Sequence, residues 1–220
     1  MRLMDIHCFP SCTFNVNSYI IEENGHLLMV DPILNIEVRK AIENNIVDFS
    51  ILTHEHYDHI LSVNEINNNN LFPVYCGQAA LIALKDPKKN LSRYSEFLLE
   101  FIPFIDKTTR VSITDYSCEC NNILYDGQSI SWQGHELFIK ETPGHSKGSI
   151  CILLDGKYLF SGDTVFSAFE TALRLPGGNQ KDYRDITLKW LDSLPHDTMV
   201  YPGHMKPFPL KDKYPLGYKK

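Results

Sequence analysis

The chain has 220 residues and a formal net charge of −6 at pH 7. We expect residues 1–220 to form a single domain, which is long enough to bury a core without disulfides or structural metals. The acidic balance argues against a nucleic-acid partner, because phosphate binding needs a basic surface, and no apolar run reaches the roughly 20 residues of a membrane-spanning helix.

The first half of the chain alternates predicted strands with predicted helices. Strands are predicted over 3–9, 17–22, 26–31, 49–53 and 73–75. Asn24-Gly25 is a strong two-residue turn signal, which joins the second and third of these strands in a hairpin. Helices are predicted over 36–44 and 58–66. This alternation favours an α/β layered architecture.

Residues 78–121 form a variable helical segment that we expect to cover the mouth of the site. Helices are predicted over 78–86 and 92–103. The second helix carries too many aromatic side chains for a fully solvated helix, namely Phe97, Phe101 and Phe104. A lid over a substrate pocket, a homodimer contact and simple packing on the core are the alternatives that the sequence leaves open.

The second half of the chain repeats the plan of the first. Strands are predicted over 129–132, 136–141, 149–154, 157–161 and 198–201. Short turns at Gly134 and Gly156 link them, and a helix is predicted over 181–193.

The stretch 53–59 reads Thr-His-Glu-His-Tyr-Asp-His, directly after an apolar strand. Neutral imidazole and carboxylate groups are standard ligands of zinc and similar ions. His54 and His56 are two residues apart at a strand end, so both can reach one ion. A helix that starts just after them turns Asp58 and His59 towards a second position. The spacing therefore predicts two adjacent ions. The alternative is a histidine-rich surface loop.

Three later stretches each place a metal-ligand side chain beside a glycine at the end of an apolar strand. They are Pro-Gly-His at His145, Ser-Gly-Asp at Asp163 and Pro-Gly-His at His204. The four stretches, in this order, resemble the metallo-β-lactamase superfamily. The resemblance extends from the hairpin at 17–31 to the Pro-Gly-His at 202–204.

The resemblance implies a four-layer αββα sandwich and a complete dinuclear site. In the family pattern, the first metal is held by His54, His56 and His145. The second is held by Asp58, His59 and His204. Asp163 bridges the two ions, and Asp58 doubles as a proton carrier, so these two aspartates are the expected catalytic residues.

The segments 85–92, 161–166 and 175–178 look like the glyoxalase II-like branch of the superfamily. This implies a dinuclear hydrolase in which a metal-bound hydroxide attacks a small ester or thioester, as in hydroxyacylglutathione hydrolases. Zinc fits the ligands best, and iron and manganese accept the same set. The alternatives are a mononuclear iron enzyme like the persulfide dioxygenases, a nuclease, and another hydrolase of the superfamily. We expect a small-molecule substrate.

Other residues near the motif have expected supporting roles. Strand alternation predicts that Glu55 and Tyr57 point away from the metal as partners of its ligands. Lys147 and Arg174 are candidates to bind an anionic substrate group, and solvent exposure is the alternative for each. Four further histidines lack a partner motif, so we expect no metal at His7, His26, His135 and His196.

The six cysteines show no secreted disulfide framework. Cys151 lies in an apolar strand, which predicts a core position. Cys118 and Cys120 form a Cys-x-Cys pair that is a weak metal-binding signal by itself. The start of the chain has no apolar core like that of a signal peptide. Free thiols and a cytoplasmic location are therefore expected.

Overall fold

The computed structural model describes residues 4–99, 113 and 115–215. Phe101 and Phe104, with the end of the helix predicted over 92–103, lie outside the described residues.

The first sheet contains six strands that follow one another across the sheet in chain order. They are β1 (Asp5–Pro10), β2 (Asn17–Glu23), β3 (His26–Val30), β4 (Ile46–Leu52), β5 (Val74–Gly77) and β6 (Asn122–Leu124). The first three strands are antiparallel, and β3 to β6 are parallel. The predicted hairpin is confirmed: Asn24 and Gly25 both have positive φ, at 53° and 81°, as a two-residue hairpin turn requires.

The second sheet also contains six strands, in the order β12-β11-β10-β9-β8-β7. They are β7 (Ser129–Trp132), β8 (His135–Glu141), β9 (Ile150–Leu154), β10 (Tyr158–Gly162), β11 (Met199–Pro202) and β12 (Phe208–Pro209). Only the β10–β11 pair is parallel among these described strands. The strands β6 and β12 were not predicted, because runs of three and two residues carry too little pattern to detect.

The helices are short and lie on the outer faces of the sheets. Seven α-helical segments are described: α1 (Ile36–Ile42), α2 (Tyr57–Ile60), α3 (Val63–Asn68), α4 (Leu81–Leu84), α5 (Ser95–Leu99), α6 (Gln180–Asp182) and α7 (Leu188–Ser193). A π-helical turn, Tyr183–Thr187, joins the last two into one helical stretch. The helix predicted over 58–66 is divided into α2 and α3, and the one over 78–86 is a 3-10 turn followed by α4.

The two sheets pack face to face, and alternate residues of their strands fill different layers. In β3, Leu28 and Val30 face the second sheet, where they pack with Ile139 and Ile152. Other β3 residues, such as Met29, face the opposite way and pack beneath the helices of the first sheet. Helix α7 covers the far side of the second sheet. The predicted four-layer αββα architecture is therefore confirmed.

All six cysteines are free thiols, and Cys151 lies in the core as predicted. Cys118 and Cys120 are buried in the core cluster beneath the helices of the first sheet. The Cys120 thiol donates to the backbone oxygen of Val74 at 3.1 Å. Among the described residues, no helix combines the length and the apolar content needed to cross a bilayer.

We expect truncation of the inter-sheet core to cost far more stability than the same truncation at the surface. Ile152→Ala empties a fully buried position between the sheets and should destabilise the protein by about 2–5 kcal/mol. Ile82→Ala, at a side chain that is 70% exposed, should change stability by less than about 0.5 kcal/mol. Urea unfolding of both variants measures the difference, and equal losses would contradict this assignment of the core.

Candidate metal centre

The seven predicted ligands come together at one end of the sandwich, where strands of both sheets end. The 53–59 stretch follows β4 and continues into α2, while His145 follows β8. Asp163 and His204 follow the parallel strands β10 and β11. The five imidazoles and two carboxylates are almost entirely shielded from solvent. Clefts beyond the carboxyl ends of strands are the usual ligand sites of such sheets.

Three groups of three side chains each place their ligand atoms within 4.8 Å of one another. The first group is His54, His56 and His145, and the second is Asp58, His59 and His204. A third group, His54, His59 and Asp163, connects these two. The geometry of the first two groups matches the two predicted metal sets, although the role of these residues as ligands stays a prediction.

Asp163 lies between the two groups. Its Oδ2 is 3.6 Å from Nε2 of His145 in the first group. The same oxygen is 3.5 Å from Nε2 of His204 in the second group, and Oδ1 is 3.5 Å from Nε2 of His59. One carboxylate therefore reaches both groups, which is the geometry expected of a bridging ligand.

Three of the imidazoles are oriented by hydrogen bonds on the side facing away from the centre. His59 donates from Nδ1 to Oδ2 of Asp31 at 2.8 Å. His145 and His204 donate from Nδ1 to the backbone oxygens of Ala172 and Asn15, at 3.0 and 3.1 Å. Because Nδ1 carries the proton in each donation, Nε2 is left to face the centre.

The atoms that face the centre include several buried groups without a hydrogen-bond partner. They are Nε2 of His54, Nε2 of His59 and Oδ1 of Asp163. For His56 the nitrogen beside the first group is Nδ1, which lies 2.9 Å from Nε2 of His145. An unpaired buried polar atom is costly, and three in one place require a common partner. Imidazole nitrogens with carboxylate oxygens form a donor set that suits zinc and similar divalent ions. The residues present therefore fit a metal centre.

The imidazoles of the first group are held neutral, as metal ligation requires. Burial lowers the pKa of His54 well below its usual value, and the neighbouring His59 adds to this effect. Burial and the adjacent His145 lower the pKa of His56 to about 3. Burial also lowers the pKa of His145.

In the second group the pKa values of the imidazoles are raised instead of lowered, because carboxylates surround them. Burial by itself would lower the pKa of His204, but Asp163 and Asp58 raise it to about 9. Burial opposes Asp31 and Asp58 at His59, and the pKa of that imidazole is well above its usual value. Burial would raise the pKa of Asp163, but His204 and His59 hold it well below its usual value. Without a cation, protons therefore neutralise this group.

Asp31 is the site residue that sequence reasoning missed. It accepts hydrogen bonds from the backbone nitrogen and the hydroxyl of Thr53, both at 2.7 Å, in addition to the bond from His59. It therefore ties the end of β3 to the start of the 53–59 stretch. Its φ of +49° is unusual for a residue other than glycine, but the sequence shows only an aspartate before a proline.

Glu55 points away from the centre, as strand alternation predicts. Its buried carboxylate accepts a hydrogen bond from the Ser146 hydroxyl at 2.8 Å and one from the Gly148 nitrogen at 3.3 Å. These bonds fix the loop that carries His145 to the 53–59 stretch. Tyr57 is among the residues that line the cavity, and it packs with Phe14 and Leu91. Its role as a partner of the metal ligands stays a prediction.

Two glycines beside the ligands permit close packing of the backbone. A Cβ atom at Gly203 would collide with Oδ1 of Asp163 and with the ring of His59. Gly144 has a φ of +148°, and a Cβ atom there would lie 2.5 Å from Cβ of Tyr183. A larger residue at Gly203 would displace these two ligands, and one at Gly144 would displace Tyr183.

The remaining histidines belong to none of the ligand groups found among the described residues. His26 pairs with Asp48 at 2.9 Å, and His135 pairs with Asp155 at 2.7 Å. These are hydrogen bonds near the surface, and the absence of metal at these imidazoles stays a prediction.

A cavity of about 370 Å³ opens beside the centre. Its polar lining includes five of the candidate ligands, His56, Asp58, His145, Asp163 and His204. Its remaining described lining residues are Tyr57, Leu91, Leu98, Phe166, Phe169, Glu170, Ala172 and Leu175. Neither Lys147 nor Arg174, the predicted anion-binding candidates, is among them. Leu91 and Leu98 come from the 78–121 segment, so its described part reaches the site.

We expect Asp31→Asn to weaken metal binding by about 10- to 100-fold, because the His59 ring loses the carboxylate that orients it. Asparagine tolerates a positive φ, so the change removes the charge rather than the backbone conformation. Competition with a chelator measures the affinity. Asp48→Asn is the matched control, since it disrupts the His26 pair far from the centre and should leave metal affinity unchanged. Equal affinities for both variants would refute the role of Asp31.

Metal affinity should rise with pH, because His59 and His204 carry protons in the metal-free protein and must release them on binding. The pKa of His204, raised to about 9, places its part of this rise below about pH 9. Each released proton contributes about a tenfold gain in affinity per pH unit. Chelator competition at a series of pH values gives the slope, and proton release into weak buffer provides an independent count. A constant affinity from about pH 6 to 8 would contradict the assigned protonation states.

Comparisons with known proteins agree with the fold and the site geometry. The family model of the metallo-beta-lactamase superfamily matches residues 13–204. A hydroxyacylglutathione hydrolase of Klebsiella pneumoniae is 27% identical over 203 residues, which cover 91% of this chain and 66% of that protein.

Two solved structures of similar length also resemble the chain. The B3 metallo-beta-lactamase BLEG-1 has a TM-score of 0.76 at 25% identity, covering 94% of this chain and 95% of that one. A protein solved in a di-iron-bound form has a TM-score of 0.69 at 25% identity, covering 92% and 95%. Since the family model spans most of the sequence and the fold agrees, the chain belongs to the metallo-beta-lactamase superfamily, whose members are metallo-hydrolases.

Proposed function

We propose that the protein is a dinuclear metal-dependent hydrolase of a small ester or thioester. The observation that carries the proposal is the position of Asp163, whose carboxylate contacts imidazoles of both ligand groups. Such an arrangement supports two adjacent ions. The similarity to a protein solved with two irons agrees with this number.

The residues that would hold the ions are the two groups already described. His54, His56 and His145 would hold one ion, and Asp58, His59 and His204 would hold the other, with Asp163 shared. Two divalent ions in such a site supply a hydroxide nucleophile near neutral pH and polarise the carbonyl group of a substrate. The donor set favours zinc, and iron or manganese would accept it too.

Asp58 is the residue best placed to move a proton. Its carboxylate lines the cavity, and its Oδ2 is 3.5 Å from Nε2 of His204. Burial would raise its pKa, but His59 and His204 hold it below the usual value, so it is ionised at neutral pH. Asp58 can therefore accept the proton of the attacking water and return it to the leaving group. Asp163 is ionised as well. Its carboxylate contacts imidazoles of both groups and so fixes their relative positions.

Two features favour an ester or thioester as the substrate. A relative that covers most of this chain is named a hydroxyacylglutathione hydrolase. The cavity is small, near the lower end of the about 300–1,000 Å³ of small-molecule sites, and its described lining contains no serine or cysteine nucleophile. Hydrolysis there would depend on the metal-ligand residues.

The predicted alternatives differ in metal number and in the reaction measured. A dioxygenase like the persulfide enzymes would use one iron and consume oxygen, leaving Asp58, His59 and His204 without a ligand role. The likeness to the B3 enzyme BLEG-1 makes β-lactam hydrolysis a second activity to test. A nuclease would need a basic surface, and the charge of −6 gives no support for one.

The decisive experiment combines metal analysis with turnover of acyl thioesters and esters by the purified chain. We expect two divalent ions per chain and metal-dependent hydrolysis, with both lost on dialysis against a chelator. Asp163→Ala should lower metal content and reduce kcat/KM by at least about 1,000-fold, since it removes the shared carboxylate. His56→Ala should have a similar effect.

His196→Ala is the matched control for the histidine variant, because this side chain is exposed and distant from the centre. It should retain full metal content and activity. Full activity in a metal-free Asp163→Ala protein would end the proposal. One iron per chain with oxygen uptake on a persulfide, and no hydrolysis, would replace it with the dioxygenase. Cleavage of nitrocefin but of no ester or thioester would replace it with a β-lactamase.

A further inference from the structure

Resting on the proposed function, we propose that Phe169 is a specificity-determining residue of the site. Its ring, paired with that of Phe166, closes the cavity beside the metal centre and separates it from a second cavity. The pair therefore limits the length of the apolar group that a substrate can place on this side of the reacting carbonyl.

The second cavity adjoins the first at the two phenylalanine rings. It has a volume of about 220 Å³, and its lining includes Val165, Tyr183 and Leu188. Among the described lining residues, Phe166 and Phe169 are the two that this cavity shares with the one beside the centre. A side chain that borders two cavities lies between them, so these two rings form a partition.

The two rings contact each other and lie next to the candidate ligands. Their centroids are 4.5 Å apart, and their planes are inclined at 35°. The centroid of the Phe166 ring is 6.5 Å from that of His204, so the partition begins beside a candidate ligand. Phe166 is 4% exposed, whereas Phe169 keeps part of its surface accessible and lines the cavity. The Phe169 ring is accordingly the part of the partition that a substrate would contact.

The loop that carries the two rings is held by hydrogen bonds that do not depend on them. The Thr171 hydroxyl donates to the backbone oxygen of Thr164 at 2.9 Å, which closes the base of the loop. The backbone nitrogen of Tyr214 donates to the backbone oxygen of Phe166 at 2.7 Å. Since neither bond uses the Phe169 side chain, replacing its ring should leave the loop in place.

Removal of the Phe169 ring would join the two cavities. An apolar group that is too long for the first cavity can then extend towards Val165 and Leu188 in the second. Burial of each further methylene corresponds to about a fourfold gain in binding or in kcat/KM. The size of the side chain at position 169 should therefore set the chain length at which this gain stops.

The first test measures that chain length in the metal-loaded full chain. Two series of substrates are assayed: thioesters of N-acetylcysteamine with acyl groups of increasing length, and acetate esters of alcohols of increasing length. In one of the two series, kcat/KM should rise with length and then fall once the chain meets the partition. Phe169→Ala should move this maximum to a longer chain, with about a fourfold gain for each additional methylene that is accommodated. Phe169→Trp should move it to a shorter chain.

Two controls distinguish a partition from a general loss of structure, which would lower kcat/KM at every chain length. Tyr125→Ala removes a ring that is 52% exposed and lies in neither described lining, so it should leave the maximum in place. Leu188→Phe adds bulk to the lining of the second cavity, so in the Phe169→Ala protein it should cancel the gain for long chains. All variants should keep their metal content.

A binding measurement makes the inference independent of turnover. Calorimetry uses the two corresponding series of amides, which are hydrolysed far more slowly, and should show opposite shifts of the length limit in Phe169→Ala and Phe169→Trp. Identical length dependence of amide binding in the wild type and both variants would overturn the inference and leave the proposed hydrolase standing. Absence of ester and thioester turnover in a protein that holds two metals would overturn the proposed function, and the shifts in amide binding would then still decide this inference.

Discussion

The arrangement at this end of the sandwich depends on the cost of burying polar groups that have no partner. Five imidazoles and two carboxylates converge there, and two imidazole nitrogens and one carboxylate oxygen that face the centre lack a hydrogen bond. Removing such groups from water is unfavourable unless a cation or a proton compensates. The raised pKa values of His59 and His204 reflect this demand, because the neighbouring carboxylates favour a positive charge on both imidazoles.

The fold holds the cluster in position through buried contacts rather than through the ligands themselves. Asp31, at the end of β3, binds both Thr53 and His59. Glu55 binds the loop that carries His145, so ligands from the two halves of the chain are tied together. Gly203 allows the last loop to approach Asp163 without a clash. These contacts orient the donor atoms before any ion arrives, which limits the entropy lost on binding.

Chemistry and selectivity have separate structural sources in this molecule. The candidate ligands lie on loops that follow the strands of a rigid sandwich. The apolar side chains that line the cavity come instead from two other places. The 78–121 segment contributes Leu91 and Leu98, and the loop after Asp163 contributes Phe166 and Phe169. Loops of this kind can change without disturbing the core, so one metal centre can serve many substrates. The substrate must therefore be inferred from the cavity, and the fold by itself does not specify it.

The sequence by itself determined the layered fold and the seven candidate ligands. Local spacing carries that information: His54 and His56 are neighbours on one strand end, and each later ligand follows a glycine turn. The role of Asp31 and the apolar lining of the cavity were decided only by the tertiary structure. Each depends on contacts between distant segments, such as the bond from His59 to Asp31, which no local pattern encodes. The strands β6 and β12 likewise exist through pairing with neighbours, because such short runs have no independent stability.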